Sequence, residues 1–159
     1  MAAVTIAAMD YLAVCTGNTC RSPMLAALLR QRLAQAGLAD QVVSAGTGAI
    51  AGEAASGGAV TEMARRGLDL RSHRSQNVRS LDLTKFSRVL CMSSSHAAYL
   101  RSLGVIAAHL EVVNALAGGV PDPFGGDAAE YAACADILAK YADGLVAARS
   151  ARGQGGAGA

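Results

Sequence analysis

The segment VCTGNTCRSPM, Val14 to Met24, sets two thiols, Cys15 and Cys20, and one guanidinium, Arg21, around Thr16, Gly17, Asn18 and Thr19. A loop of small residues running into a helix turns its backbone N–H groups inward, and Gly17 and Asn18 both tolerate the left-handed backbone that curls such a loop into a nest. A helix beginning near Ser22 adds its positive end, so the segment suits a tetrahedral anion such as phosphate. Arg21 adds a planar fork that grips two oxygens at once. Cys15 sits at the mouth of this ring, where helix dipole, amides and Arg21 all favour negative charge on its sulfur. A thiolate under a bound phosphate is placed for in-line attack on phosphorus, with Arg21 and the amides holding charge on the equatorial oxygens. This chemistry needs no metal and no cofactor. The segment lacks the Lys and the spacing of a nucleotide-binding G-x-x-x-x-G-K loop.

Attack of this kind also needs an acid for the leaving group and then a base for water. Asp122, between Pro121 and Pro123 and ahead of Phe124, is the candidate, because the prolines stiffen the backbone that aims its carboxylate. An ordinary Asp-Pro turn is the alternative reading of those residues.

The elements that must position these groups alternate along the chain. Short apolar runs at Tyr11–Cys15, Gln41–Ala45 and Arg88–Met92, and a fourth within Ile106–Val113, read as strands. Helical spacing predicts helices over Ser22–Ala36, Val60–Arg66, a short one over Ser80–Phe86, one capped by Ser93–Ser95 and running to Leu103, and a long one over Ala128–Arg149. Strands alternating with helices predict a single α/β domain, a parallel sheet with helices on both faces. Ligands in such folds bind at the carboxyl ends of the strands, which is where Cys15 falls after the first strand.

The chain has 159 residues and 52% hydrophobic residues, enough for one domain with its own core. We expect an N-terminal extension over 1–10, the domain proper over 11–149 and a flexible tail over 150–159. A net charge of +2 is too mild to suggest nucleic acid or an acidic membrane surface as partner. The arginines at 65, 66, 71, 74 and 79 form a loose group, read as a solvated face rather than a docking patch. Cys91 and Cys134 read as small buried hydrophobes, and the cysteine spacing does not suit zinc. No leader or membrane span is evident, so a cytoplasmic setting with reduced thiols is expected.

With these residues in view, the chain resembles the low-molecular-weight protein tyrosine phosphatases, over roughly residues 10 to 148. The signature V-C-x-G-N-x-C-R-S-P and the later D-P-aromatic both occur here in order. The resemblance implies a four-stranded parallel sheet and hydrolysis of phosphate monoesters through a cysteinyl-phosphate intermediate. It implies Cys15 as nucleophile, Arg21 as phosphate clamp, Asp122 as general acid and Ser22 as the hydroxyl that hydrogen-bonds the thiolate. Asn18, Ser44 and His73 match a polar network that shapes the loop. Cys20 matches the family's second loop cysteine, able to form a protective disulfide with Cys15 under oxidant.

The substrate expected first is phosphotyrosine on a protein. Thr19 stands where phosphotyrosine enzymes of the family often carry a bulky aliphatic, and it matches members that resemble protein-arginine phosphatases, so phosphoarginine is the alternative. Phe124 forms one wall of a slot, and the loop from Gly46 to Gly58 supplies no aromatic opposite it. Arsenate reduction is disfavoured, because no partner thiol follows Cys91 between Met92 and Leu103. A non-catalytic phosphate-binding module would require neither Cys15 nor Asp122.

Overall fold

The central strand is β1, Asp10–Cys15, whose residues from Tyr11 onward are all buried. In the computed structural model, which describes residues 6–155, seven further elements surround it. They are α1 (Arg21–Gln35), β2 (Gln41–Gly46), α2 (Gly57–Arg65), β3 (Arg88–Cys91), α3 (Ser94–Ser102), β4 (Leu110–Val112) and α4 (Ala128–Gly155). The four strands form one parallel sheet in the order β2-β1-β3-β4. The register pairs Cys15 with Gly46 and Val14 with Cys91, so the carboxyl ends of three strands meet beside the nucleophile candidate.

Alternation along the strands divides the core. Tyr11, Ala13 and Leu90 face α1, α2 and α4, where Leu25, Leu28, Met63 and Leu138 are buried. Leu12, Val14, Val89 and Cys91 face the other side, under Val78, Phe86 and Leu100 of α3. A strand buried on both faces reads as a continuous apolar run, which is why β1 and β3 are legible in the sequence. Cys91 and Cys134 are both core residues, and burial pushes each thiol up to about 12.

Several boundaries differ from the sequence expectation. α2 begins earlier than Val60, at Gly57, because Ser56 caps it by accepting the Ala59 N–H at 3.4 Å. The segment expected as one short helix over 80–86 is instead two 3-10 turns, Val78–Ser80 and Leu83–Lys85, each opened by an Asn or Asp side chain. α4 continues past Arg149 to Gly155, so residues 150–155 of the expected tail are helical; positions 156–159 lie outside the described residues. Of the expected extension, residues 1–5 also lie outside them, while Asp10 belongs to β1. Residues 7–9 are tied to the domain: the Met9 N–H donates to Asp40 at 3.0 Å, and Arg149 donates to the Ala7 carbonyl at 2.5 Å. The arginine-rich group is largely neutralised locally, Arg65 and Arg66 by Glu62 and Arg71 by Asp69.

Candidate active site

The loop from Cys15 to Arg21 bridges the end of β1 and the first turn of α1. Its bend is set at Asn18, which adopts a left-handed backbone with φ 56° and is fully buried. Gly17, expected to share that conformation, does not; Asn18 alone turns the chain. Asn18 can hold the strain because its groups are bonded on every side. Its Nδ2 donates to Ser22 Oγ at 2.8 Å and to Ser44 Oγ at 3.0 Å, and its Oδ1 accepts the Gln76 N–H at 3.0 Å. Its carbonyl accepts from His73 Nε2 at 2.7 Å, which fixes the ring's proton on that nitrogen. Burial holds His73 below the usual imidazole value, so the donor is the neutral ring.

The same network reaches the sulfur. Ser22 Oγ accepts a hydrogen bond from Asn18 Nδ2 and lies 3.0 Å from Cys15 Sγ, leaving its own hydroxyl proton free to point at the sulfur. The Asn18 N–H donates to Cys15 Sγ at 3.3 Å. Two hydrogen-bonding groups thus converge on one buried sulfur. α1 begins at Arg21 rather than at Ser22, and Cys20 occupies its N-cap without a side-chain bond to the helix. Ser22 is therefore not a cap; its hydroxyl serves the thiol.

The loop is also clamped from the side of β2. The Thr47 and Gly48 N–H groups donate to the Cys15 and Thr16 carbonyls at 2.9 and 3.0 Å. A Cβ at Gly46 would lie 2.3 Å from the Thr16 carbonyl oxygen, so only glycine lets the strand approach this closely.

Arg21 is buried at 7% exposure and its three nitrogens differ in circumstance. Nη1 donates to the Val120 carbonyl at 3.0 Å, and Nη2 lies 3.5 Å from Asp122 Oδ2. Nε is buried and, among the described residues, has no partner. A buried unpaired donor costs about 1–3 kcal/mol, which an acceptor arriving from outside the chain would remove. The Val120 contact also fixes the loop that follows, where Asp122 Oδ1 accepts the Phe124 N–H at 3.2 Å. Asp122 is thereby aimed back at the loop, with its side chain 54% exposed.

A cavity of about 270 Å³ joins these parts: Cys15 and Arg21 together with Thr19, Asp122 and Phe124 line it, and so does Glu53. The remaining loop residues Thr16, Gly17 and Cys20 line it as well. Ser22, Ser44, Asn18 and His73 stand behind it as supports. Phe124, 71% exposed, forms an outer wall.

Four residues at the site escaped the sequence reading. His96, in the first turn of α3 and 6% exposed, places Nε2 2.8 Å from Thr16 Oγ1 and Nδ1 2.9 Å from Ser93 Oγ. Burial, with the nearby Arg21 charge, pushes it down to about 4, so this ring is neutral too. Tyr131 of α4 and Ser56 form a triangle with Cys20, whose sulfur lies 3.1 Å from Ser56 Oγ and 3.4 Å from the Tyr131 hydroxyl. Glycine at position 58 makes room for that tyrosine, since a Cβ there would meet its ring at 2.3 Å. Glu53 is the fourth.

The family model for low molecular weight phosphotyrosine protein phosphatase matches residues 10–154. The chain belongs to that family. The probable low molecular weight protein-tyrosine-phosphatase EpsP of Ralstonia nicotianae is 40% identical over 91 residues, covering 57% of this chain and 60% of that protein. The protein-arginine-phosphatase of Geobacillus stearothermophilus is 34% identical over 139 residues, covering 84% and 91%. Among solved structures, the low molecular weight protein tyrosine phosphatase from T. tengcongensis superposes with a TM-score of 0.81 at 33% identity, covering 87% of this chain and 98% of that one. The phosphatase family thus accounts for the sheet, the loop after β1 and the helices that flank them.

Proposed function

We propose that the protein is a cysteine-dependent protein phosphatase that hydrolyses phosphotyrosine by way of a cysteinyl-phosphate. The observation that carries this reading is the convergence on Cys15: two donors on its sulfur, and beside it a buried arginine with an unused N–H. In the first step the sulfur attacks phosphorus, the S–P bond forms and the P–O bond breaks. Asp122, protonated, gives its proton to the departing phenolate oxygen. In the second step the Asp122 carboxylate takes a proton from water, whose oxygen attacks phosphorus, and the thiolate leaves as the S–P bond breaks. Ser22 Oγ and the Asn18 N–H receive the returning charge on sulfur, while Arg21 and the loop amides hold the phosphoryl oxygens. Phosphorylated proteins are the partners, and the chemistry requires no cofactor. Replacing Cys15 by Ser should abolish hydrolysis of a phosphotyrosine peptide; hydrolysis that survives the change would refute the reading.

A second reading, phosphoarginine, is favoured by the Thr19 hydroxyl on the cavity wall, where it can bond a guanidinium directly or through water. The same residues would then break a P–N bond. Thr19→Ile should lower activity on a phosphoarginine peptide relative to a phosphotyrosine peptide; an unchanged ratio would remove this reading.

A further inference from the structure

The cavity contains one fixed cation, Arg21, and two carboxylates, Asp122 and Glu53. Arg21 belongs to the anion loop and Asp122 has its role in proton transfer. Glu53 has neither duty. Among the described residues it makes no ion pair, whereas Glu62 and Glu111 are each held by arginine. An acceptor-only side chain at the mouth of a phosphate site is unfavourable for an incoming anion unless something positive accompanies that anion.

Its position is built into the fold. The Glu53 N–H donates to Ser75 Oγ at 2.9 Å, and the Ser75 N–H donates back to the Glu53 carbonyl at 2.8 Å. Ser75 is itself buried, accepts the Gly52 N–H at its carbonyl at 2.9 Å, and donates its hydroxyl to the Ile50 carbonyl at 2.5 Å. Ala54 adds an antiparallel bridge to Arg74. The loop over 50–54 is therefore fastened to the segment after His73, the same segment that supports Asn18 through Gln76. The backbone bonds thus place Glu53, an acidic residue, on the lining of the cavity that Phe124 also lines.

We infer that Glu53 selects substrates that carry a positive charge beside the phosphoryl group. This inference rests on the phosphatase reading above and narrows its substrate class. The shared chemistry is a cation next to a phosphate. It can come from the guanidinium of phosphoarginine itself or from a basic residue flanking phosphotyrosine.

The test uses the full chain and three phosphopeptides: phosphotyrosine with neutral neighbours, phosphotyrosine with arginine neighbours, and phosphoarginine with neutral neighbours. The quantity read is the ratio of kcat/KM for each cation-bearing peptide to that for the neutral phosphotyrosine peptide. Glu53→Gln should lower at least one ratio about fivefold, the size expected of an exposed charge pair, and Glu53→Lys should lower it further. The drop should shrink as salt is raised. Which ratio falls identifies the source of the cation. If both ratios stay within about twofold of wild type in both variants, Glu53 is not a selector, even while hydrolysis itself continues and disappears with Cys15→Ser. If the wild-type chain hydrolyses none of the three peptides, the phosphatase reading falls and this inference with it.

Discussion

His96 Nε2 stands 2.8 Å from Thr16 Oγ1, joining the first turn of α3 to the residue that follows Cys15. His73 holds the same loop at its other side through the Asn18 carbonyl. Two neutral imidazoles thus brace the loop, one at each flank. If the His96 bond positions the loop, Thr16→Val and His96→Ala should each reduce kcat/KM by about tenfold, since small displacements of a positioned group are costly. The double variant should be little worse than either single one, because both remove one interaction. His96→Gln, which keeps a hydrogen-bonding nitrogen, should recover much of the loss. Steady-state kinetics on the four variants decide it.

The same histidine makes stability depend on pH in a stated direction. Its folded value, about 4, lies below the ordinary imidazole value of 6.5, so between these limits the unfolded chain binds a proton that the folded chain does not. Stability should therefore fall as pH drops from about 6.5 to about 4, and His73, shifted the same way, adds to the slope. Urea titrations across that range should show a shallower pH dependence in His96→Gln than in wild type.

Asp122 offers a test that separates acid catalysis from binding. Asp122→Asn should lower kcat/KM, which reports the steps up to departure of the leaving group, by about 10²–10⁴ on a substrate with a poor leaving group, the usual worth of a positioned acid. The loss should be much smaller with a good leaving group, which departs without a proton. A uniform loss across leaving groups would assign Asp122 to its Arg21 contact instead.

Far from the cavity, Asp40 and Arg149 form a buried pair, with side chains 1% and 9% exposed and Nε to Oδ2 at 2.8 Å. Burial pushes the Asp40 carboxyl up, but the bonds from Arg149 and the Met9 N–H outweigh it and hold the group below its ordinary value. Arg149→Met should destabilise the fold by about 3–5 kcal/mol, because it leaves a buried carboxylate unpaired. A carboxyl so depressed stabilises the protein above its unfolded value and loses that contribution as pH falls through the folded one. Chemical denaturation at neutral and acid pH should show the variant's deficit narrowing on acidification.

How far the sequence reveals this molecule depends on the range of each interaction. β1, α1 and β3 are legible because their signals are local: an apolar run, a helical stripe, a glycine stop. Cys15, Arg21 and Asp122 are legible because their chemistry sits in compact motifs, and all three line one cavity. His96 is not, since its partner Thr16 lies 80 positions away and a histidine after Ser93–Ser95 reads as part of a helix start. Glu53 hides for the same reason: its place is set by Ser75, across a loop with no periodicity. The misjudged helix over 80–86 failed differently, because Asn77 and Asp82 each turn the chain locally before a longer helix can form.

The claim on which the rest depends is that Cys15 becomes covalently phosphorylated. Mixing the chain with a phosphotyrosine peptide, quenching in acid within the first turnover and measuring the mass of the fragment containing Cys15 tests it directly. The account predicts one added phosphoryl group on that fragment in the wild-type chain, with increased accumulation in Asp122→Asn when the leaving group is good, because water attack then lacks its base. Rapid hydrolysis with no adduct on Cys15 in either protein would contradict it.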